Sequence, residues 1–411
     1  MEQLVMRSKA LHLTGLAGSS AAHICKSLPE PPDSAAVTAA VAELTSLGAL
    51  SHATEELTDL GKLLAKLPVD ARLGKLILLG LCFGAPDEAL TIAAALASRS
   101  PFMSPIERRE QADESRRRFG SDTQSDHAAI LCAYNEFDAM GGGRFEFARE
   151  RFLSIRTLQG MAQLKRQLLE ALSSAGMLPP GLRASYVESL GRRAGGCDGV
   201  REAVAQREHA PRELVAGLLC AALFPQVAYL HAPPTRKGPC GSDQLKLHLR
   251  DPQGNALEPQ IASVHPSSIT CKLNGGEWRS PYVAYHECVR TTKIYVRDCT
   301  PAPPLALVVF CGGDIQVDRT HRGGLTVDSW LRIEVPEPVV PMLLELRRRL
   351  AMLLHEMVVN PGRGLSSEAF KLVPAVLELF RQHAEDEAPP LPTGGGGSKG
   401  KKKNKGVKKK A

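Results

Sequence analysis

Val264-His265-Pro266-Ser267-Ser268 and, beyond a Gly-rich turn, Tyr285-His286-Glu287 running on to Thr291-Thr292-Lys293-Ile294-Tyr295-Val296-Arg297-Asp298 are the stretches on which the reading of this chain turns. The first reads as a strand that ends in a turn fixed by Pro266 and displays two hydroxyls, Ser267 and Ser268. The second alternates Lys293, Tyr295 and Arg297 with Ile294 and Val296, the period of a strand with one buried face. Hydroxyls and cations on one face suit a sugar-phosphate backbone. The plainer reading is that the serines complete a turn and the alternation marks an ordinary solvated face.

Outward from these segments, short β-rich runs alternate with Pro and Gly turns from 227 to about 335: 245–249, 261–264, 282–289, 293–296, 305–310 and 325–333. Such strands predict a small, partly open barrel, with loops at 233–241 and 274–278. Trp278 is either a stacking platform for a base or a partly buried loop anchor. Upstream, 70–226 is helical in pattern, and 89–97 is apolar on nearly every side, which predicts a buried central helix. Val37, Ala40, Val41, Leu44 and Leu47 repeat at helical spacing and stop at Gly48. A wing at 50–57 then precedes a helix capped by Thr58, striped by Leu60, Leu63, Leu64 and Leu67, and ended by Pro68. Arg108, Arg109, Arg116, Arg117 and Arg118 alternate with Glu107, Glu110, Asp113 and Glu114, read as a solvated helix with ion pairs in preference to a nucleic-acid patch. Residues 191–200, rich in Gly and Arg, read as a loop or insertion. Two amphipathic helices, 339–357 and 366–383, close the folded part, followed by a linker at 385–392.

Further blocks follow in a recurring order: Leu57-Thr58-Asp59-Leu60-Gly61-Lys62-Leu63-Leu64-Ala65-Lys66-Leu67-Pro68-Val69-Asp70, then Ser100-Pro101-Phe102, Asp126-His127, Tyr134-Asn135 and Arg151-Phe152-Leu153-Ser154 with Arg156-Thr157-Leu158. Phe310-Cys311-Gly312-Gly313-Asp314-Ile315 and Val327-Asp328-Ser329-Trp330 come last. Together with the two opening segments, these blocks resemble the C-terminal region of DEAH/RHA-type ATP-dependent RNA helicases. The last two look most like the subgroup with ribosome-associated and G-quadruplex-resolving members. The resemblance runs from near Leu4 to near Asn360.

It implies a multi-domain α+β chain: a winged helix with an N-terminal linker (1–68), an α-helical ratchet (69–226), an OB-fold β-barrel (227–337), C-terminal helices (338–387) and a disordered Lys-rich tail (388–411). It also implies that the winged helix braces ATPase domains and that ratchet and OB-fold hold single-stranded or structured RNA. Carried over to this sequence, the RNA contacts are Ser267, Ser268, Thr291, Thr292, Lys293 and Arg297 on the barrel and His127, Asn135 and Arg156 on the ratchet. For His127 and Asn135 an interhelical hydrogen-bonding role stands beside RNA contact. Further partners implied are RecA-like helicase domains, the ribosome or ribonucleoprotein factors. Docking such partners is the alternative function.

A complete helicase of this kind needs two RecA-like ATPase domains upstream, and no block of this chain resembles them. Gly395 to Lys402 spaces Gly400 and Lys401 like a phosphate-binding loop, but ends in Lys402 where Ser or Thr is required and has no preceding strand. Asp87-Glu88-Ala89-Leu90 imitates a metal-binding acidic box, yet it follows Pro86 and opens an Ala-rich helix, where Asp87 reads as an N-cap and Glu88 suits the helix dipole. Neither catalytic residues nor a cofactor are therefore assigned, ATP and Mg belonging to the parent family's ATPase domains. The chain is expected not to hydrolyse ATP unaided. It reads as an accessory fragment of a helicase, or as one whose native start lies upstream of Met1.

Charge is unevenly spread. The net charge is +7, and lysines 399, 401, 402, 403, 405, 408, 409 and 410 supply +8 with no acid after Glu387, leaving −1 for the rest. A nucleic-acid surface on the folded part must therefore be a local patch. No apolar run is long enough to span a bilayer. Ten cysteines without a C-x-x-C pair argue against a zinc site and for a reducing compartment, cytoplasmic or nuclear.

Overall fold

The structure, a computed structural model, describes residues 1–11, 19–233, 239–250, 260–317, 324–361 and 367–387. The Lys-rich tail and most of the expected linker before it lie outside the described residues.

Helices α1 (Glu2–Ala10), α2 (Ala21–Lys26) and α3 (Ser34–Ser46) pack together at the start of the chain. The expected N-terminal linker is thus corrected: Val5 and Met6 are wholly buried in the same core as Val37 and Leu44. Gly48, at φ +83°, ends α3 in the left-handed conformation that glycine adopts freely. Leu50 then bridges Leu57, and the Thr58 hydroxyl accepts from the Gly61 amide, capping α4 (Asp59–Leu64). Gly61 has a steric reason, since a Cβ there would lie 2.0 Å from the Ala49 carbonyl oxygen. Helix α4 stops at Leu64, before Pro68, and the Asp70 carboxylate caps the next helix through the Leu73 amide at 3.0 Å.

The helical module comprises α5 (Ala71–Cys82), α6 (Pro86–Leu96), α7 (Arg109–Gly120), α8 (Asp126–Ala139), α9 (Arg144–Glu150), α10 (Ile155–Ser174), α11 (Ala184–Ala194), α12 (Val200–Ala203) and α13 (Arg212–Leu223). As expected, α6 is buried from Pro86 to Ala95. Asp87, however, does not cap it. Its carboxylate accepts from Lys165 at 2.8 Å and Arg201 at 2.9 Å, while Lys165 also lies 2.5 Å from Asp198, which the Tyr134 hydroxyl joins at 2.8 Å. Burial disfavours the Lys165 ammonium, but the Asp198 and Asp87 carboxylates outweigh it and raise its pKa. Glu88, equally buried, accepts from Gln206 and the Ala210 amide. The supposed loop at 191–200 is helical to Ala194 and delivers Asp198 to this cluster.

Strands β1 (Val227–His231), β2 (Lys246–Leu249), β3 (Gln260–Val264), β4 (Tyr282–Arg290) and β5 (Ile294–Pro301) form a barrel in the order β1-β2-β3-β5-β4. It is closed, not partly open, because β4 pairs back onto β1, and β3 runs parallel to β5. The run at 305–310, expected as a strand, is helix α14 (Pro304–Phe310), with Pro304 in its first turn and Ala306 to Val309 buried. The run at 325–333 is two strands, β7 (Leu325–Val327) and β8 (Leu331–Ile333), forming a separate meander with β6 (Ile315–Val317). Helices α15 (Val340–Val359) and α16 (Ser367–Glu387) follow. Together with α5, α6, α13, α14, β7 and β8 they share the largest apolar core, so α15 and α16 pack back onto the helical module.

All ten cysteines are unpaired thiols, and Cys82, Cys220, Cys299 and Cys311 are buried as small apolar groups. No helix among the described residues is long and apolar enough to cross a membrane.

Candidate nucleic-acid interface

Strands β4 and β5 meet in a tight hairpin in which Arg290 faces Ile294 and the Thr291 amide donates to the Lys293 carbonyl at 2.9 Å. Arg290, Thr291, Thr292 and Lys293 are all exposed at its tip. Val296 is wholly buried and Ile294 packs against the barrel core, so Lys293, Tyr295 and Arg297 take the other face as the alternation requires. The pattern breaks at Asp298, whose φ is +53°: Val296 and Cys299, three residues apart, both enter the core. Arg297 is half-buried and lies 3.4 Å from Glu287 across the hairpin.

The Pro266 turn divides its two hydroxyls. Ser267 stays on the partly exposed side, its hydroxyl 2.7 Å from His265 Nδ1, while its own amide donates to that nitrogen at 3.1 Å. That bond leaves the proton of a neutral His265 on Nε2. The His265 ring meets Tyr295 edge-on at 5.7 Å. Ser268 turns inward and is corrected as a surface contact: it is 3% exposed and donates to Asp126 at 2.6 Å.

Asp126, at the start of α8, is fully buried and accepts from four groups. Besides Ser268 these are the Ile269 amide at 2.9 Å, the Cys299 amide at 2.9 Å and Arg116 at 3.3 Å. Ser125 and His127 both reach the Thr300 hydroxyl, at 2.6 and 2.7 Å, and the Gln124 side chain bonds backbone groups of Glu277 and Arg279. Residues 124–127 therefore fasten the helical module to the barrel. Burial, helped by nearby His286, pushes the His127 imidazole down to about 3, so it is neutral. This is the hydrogen-bonding role, and His127 leaves the set of surface contacts.

The expected solvated arginine helix holds for Arg117 and Arg118, which pair with Glu114. Arg116 departs from it, lying over the Phe102 ring while it reaches Asp126. Asn135 is half-buried and lines a cleft of about 580 Å³ between α8, α13 and the barrel end at Thr300 to Pro303. Arg118, Arg212 and Arg279 line the same cleft, together with the carboxylates of Glu88, Asp122, Glu136 and Glu213. Arg156 is exposed in the first turn of α10 and is not among the lining residues. Trp278 is a partly buried anchor against the barrel core. Arg290, Arg212 and Arg279 were missed in the sequence; Arg290 carried a signal, since it directly precedes the threonine pair. No cluster of His, Cys, Asp and Glu among the described residues could hold a metal ion.

Family models match this architecture segment by segment. Residues 40–69 match the winged-helix part of the helicase associated domain, 70–130 its ratchet-like part, 215–315 the oligonucleotide/oligosaccharide-binding fold, and 323–382 the C-terminal domain in RNA helicases. The chain is 36% identical over 378 residues to a mouse protein named putative ATP-dependent RNA helicase DHX57, covering 89% of this chain and 27% of that protein. It is 33% identical over 383 residues to the Arabidopsis thaliana DExH-box ATP-dependent RNA helicase DExH1, covering 93% and 34%. To the human ATP-dependent DNA/RNA helicase DHX36 it is 31% identical over 390 residues, covering 93% and 35%. It thus spans about a third or less of the length of these relatives. With winged helix, ratchet and OB-fold in this order, the chain belongs to the DEAH/RHA helicases, as the C-terminal region of such a protein.

Proposed function

We propose that this region binds single-stranded RNA through the β4–β5 hairpin, as the accessory part of an ATP-dependent RNA helicase whose ATPase domains it assists. The observation that carries the reading is the hairpin tip. Arg290 and Lys293 are exposed, make no ion pair among the described residues, and stand beside the hydroxyls of Thr291 and Thr292. Two free cations and the Thr292 hydroxyl, beside a Thr291 hydroxyl that donates to the Lys293 carbonyl at 3.4 Å, match a phosphate-and-ribose backbone and carry little sequence information, so binding is weakly sequence-selective. Arg297, Ser267 and His265 extend the same strand face toward the barrel's middle. On the ratchet, Asn135 offers a continuation and Arg156 a more distant contact.

The test is anisotropy of a labelled oligouridylate with the chain truncated before residue 393. Lys293→Ala should weaken binding about five- to tenfold and lower the salt slope by about one unit, and Arg290→Ala with it by about two. Unchanged affinity and slope in the double variant would remove the hairpin from the RNA path. Arg297→Ala should cost less, because Glu287 already partners it.

A further inference from the structure

Helices α14, α15 and α16 and the chain leading from β8 into α15 line a groove of about 620 Å³. Leu305 and Val308 come from α14, Met342 and Leu346 from α15, and Val376 and Leu379 from α16. Among the lining residues only Glu334 and Gln382 carry polar side chains, and Met342 is 62% exposed. Leu305, Val339 and Leu346 pack on the largest apolar core and line the groove as well, so that core runs out to the surface here. A concave apolar surface of this size is the usual mark of a bound segment.

The sequence supplies an occupant at the right place. Directly after Glu387, where α16 ends, it reads Ala388-Pro389-Pro390-Leu391-Pro392, outside the described residues. Pro389 disfavours helical backbone at Ala388, which ends the helix. Gln382 lies five residues before Glu387, about 7.5 Å back along α16 at the helical rise. Residues 388–391 reach about 12 Å in the extended polyproline conformation, enough to reverse and return Leu391 to the level of Gln382. Prolines already restrict this backbone, which lowers the entropy lost on docking, and the tether holds the segment at an effective concentration of ~mM, so weak contacts suffice. Beyond Glu387 the only Leu, Ile, Val or Met residues are Leu391 and Val407, and Val407 is set among lysines. From 388 to 398 the sequence has no charge, as suits a groove whose lining holds a single carboxylate. We propose that residues 388–392 fold back into the groove between α14, α15 and α16, with Leu391 seated among its apolar walls. This anchors the root of the Lys-rich tail, so that Lys399 starts eight residues from a fixed point.

The test needs no nucleic acid, so it stands apart from the hairpin reading. The full chain, with p-benzoylphenylalanine in place of Leu391, is irradiated and its digest read by mass spectrometry. A cross-link within the monomer is expected, from position 391 to peptides of α14, α15 or α16, with Met342 foremost. Its yield should hold near 1 M salt, where charges are screened beyond about 3 Å, because the segment is uncharged. Met342→Asp, at an exposed position, should lose most of the cross-link at an unchanged melting temperature. As a second measurement, Leu391→Asp in the otherwise native chain should open the groove and raise the fluorescence of an added apolar dye severalfold, whereas Val407→Asp should not. Cross-links only between chains, in a dimer band, overturn the proposal and give the groove to a second copy. Absence of any cross-link to the lining residues, or equal dye fluorescence in wild type and Leu391→Asp, overturns it too and leaves the groove to a segment of another protein. A yield that falls with salt overturns it as well, since the lysines and not Leu391 would then hold the segment.

Discussion

Asp298 combines two unusual conditions, a left-handed backbone and a carboxyl pushed up to about 6 by burial and then by Asp126. Because its folded pKa exceeds the ordinary 3.8, its contribution to stability is present below about pH 4 and is lost as pH rises through 6. Asparagine tolerates the same φ without the charge. Asp298→Asn should therefore raise the unfolding free energy at pH 7 by roughly 1–3 kcal/mol and leave it nearly unchanged at pH 4, as urea melts at both values would check. His127 has the opposite dependence: depressed from 6.5 to about 3, it contributes stability above pH 6.5 that is lost as pH falls toward 3. Between pH 6.5 and 4, wild type should lose more stability than His127→Gln in the same melts. Neither effect was legible in the sequence. Period-2 alternation gave the faces of Lys293, Tyr295 and Arg297, but no local pattern marks the residue at which a strand turns over.

Elements whose chemistry is local were legible, and those decided by distant partners were not. Thr58, Gly61 and Asp70 carry the start and close packing of α4 and α5 within one short motif. The apolar run at 305–310 has no such punctuation on its strand side, and Pro304 opens a helix that fills the space beside α13. Asp87 looked like a cap because its true partners, Lys165 and Arg201, lie far along the chain. That cluster joins α6, α10 and α12, and its charges survive burial only as a set. Lys165→Met should destabilise the chain by about 3–5 kcal/mol, since it leaves buried Asp198 without its cation and Asp87 with Arg201 alone. Adding Asp198→Asn should recover part of the loss. Urea denaturation of both variants gives the comparison.

Across the whole molecule, the order of modules was readable from successive motifs, whereas the seam between ratchet and barrel was not. Asp126 reaches Ser268, Ile269 and Cys299 across separations of 142, 143 and 173 residues, which no local spacing encodes. Asp126→Ala strands two buried amides and should cost about 2–5 kcal/mol, with faster hydrogen exchange at Ile269 and Cys299 as the signature of a loosened seam. The tail acts at this scale too. With eight lysines on an otherwise nearly neutral chain, removing residues 393–411 should flatten the dependence of log K on log salt for oligouridylate. An unchanged slope would mean that the tail does not touch RNA.

The Asp126 junction also bears on how such proteins can be recombined. A chimera that exchanges only the barrel between relatives would join one parent's carboxylate to another's turn and strand, where a small shift of either leaves buried donors without an acceptor. Grafts that carry residues 116–127 along with 260–301 keep the arginine, the carboxylate and their acceptor geometry as one inherited unit. The heritable block in this region is then defined by a hydrogen-bonded contact and crosses the boundary that the domain names draw.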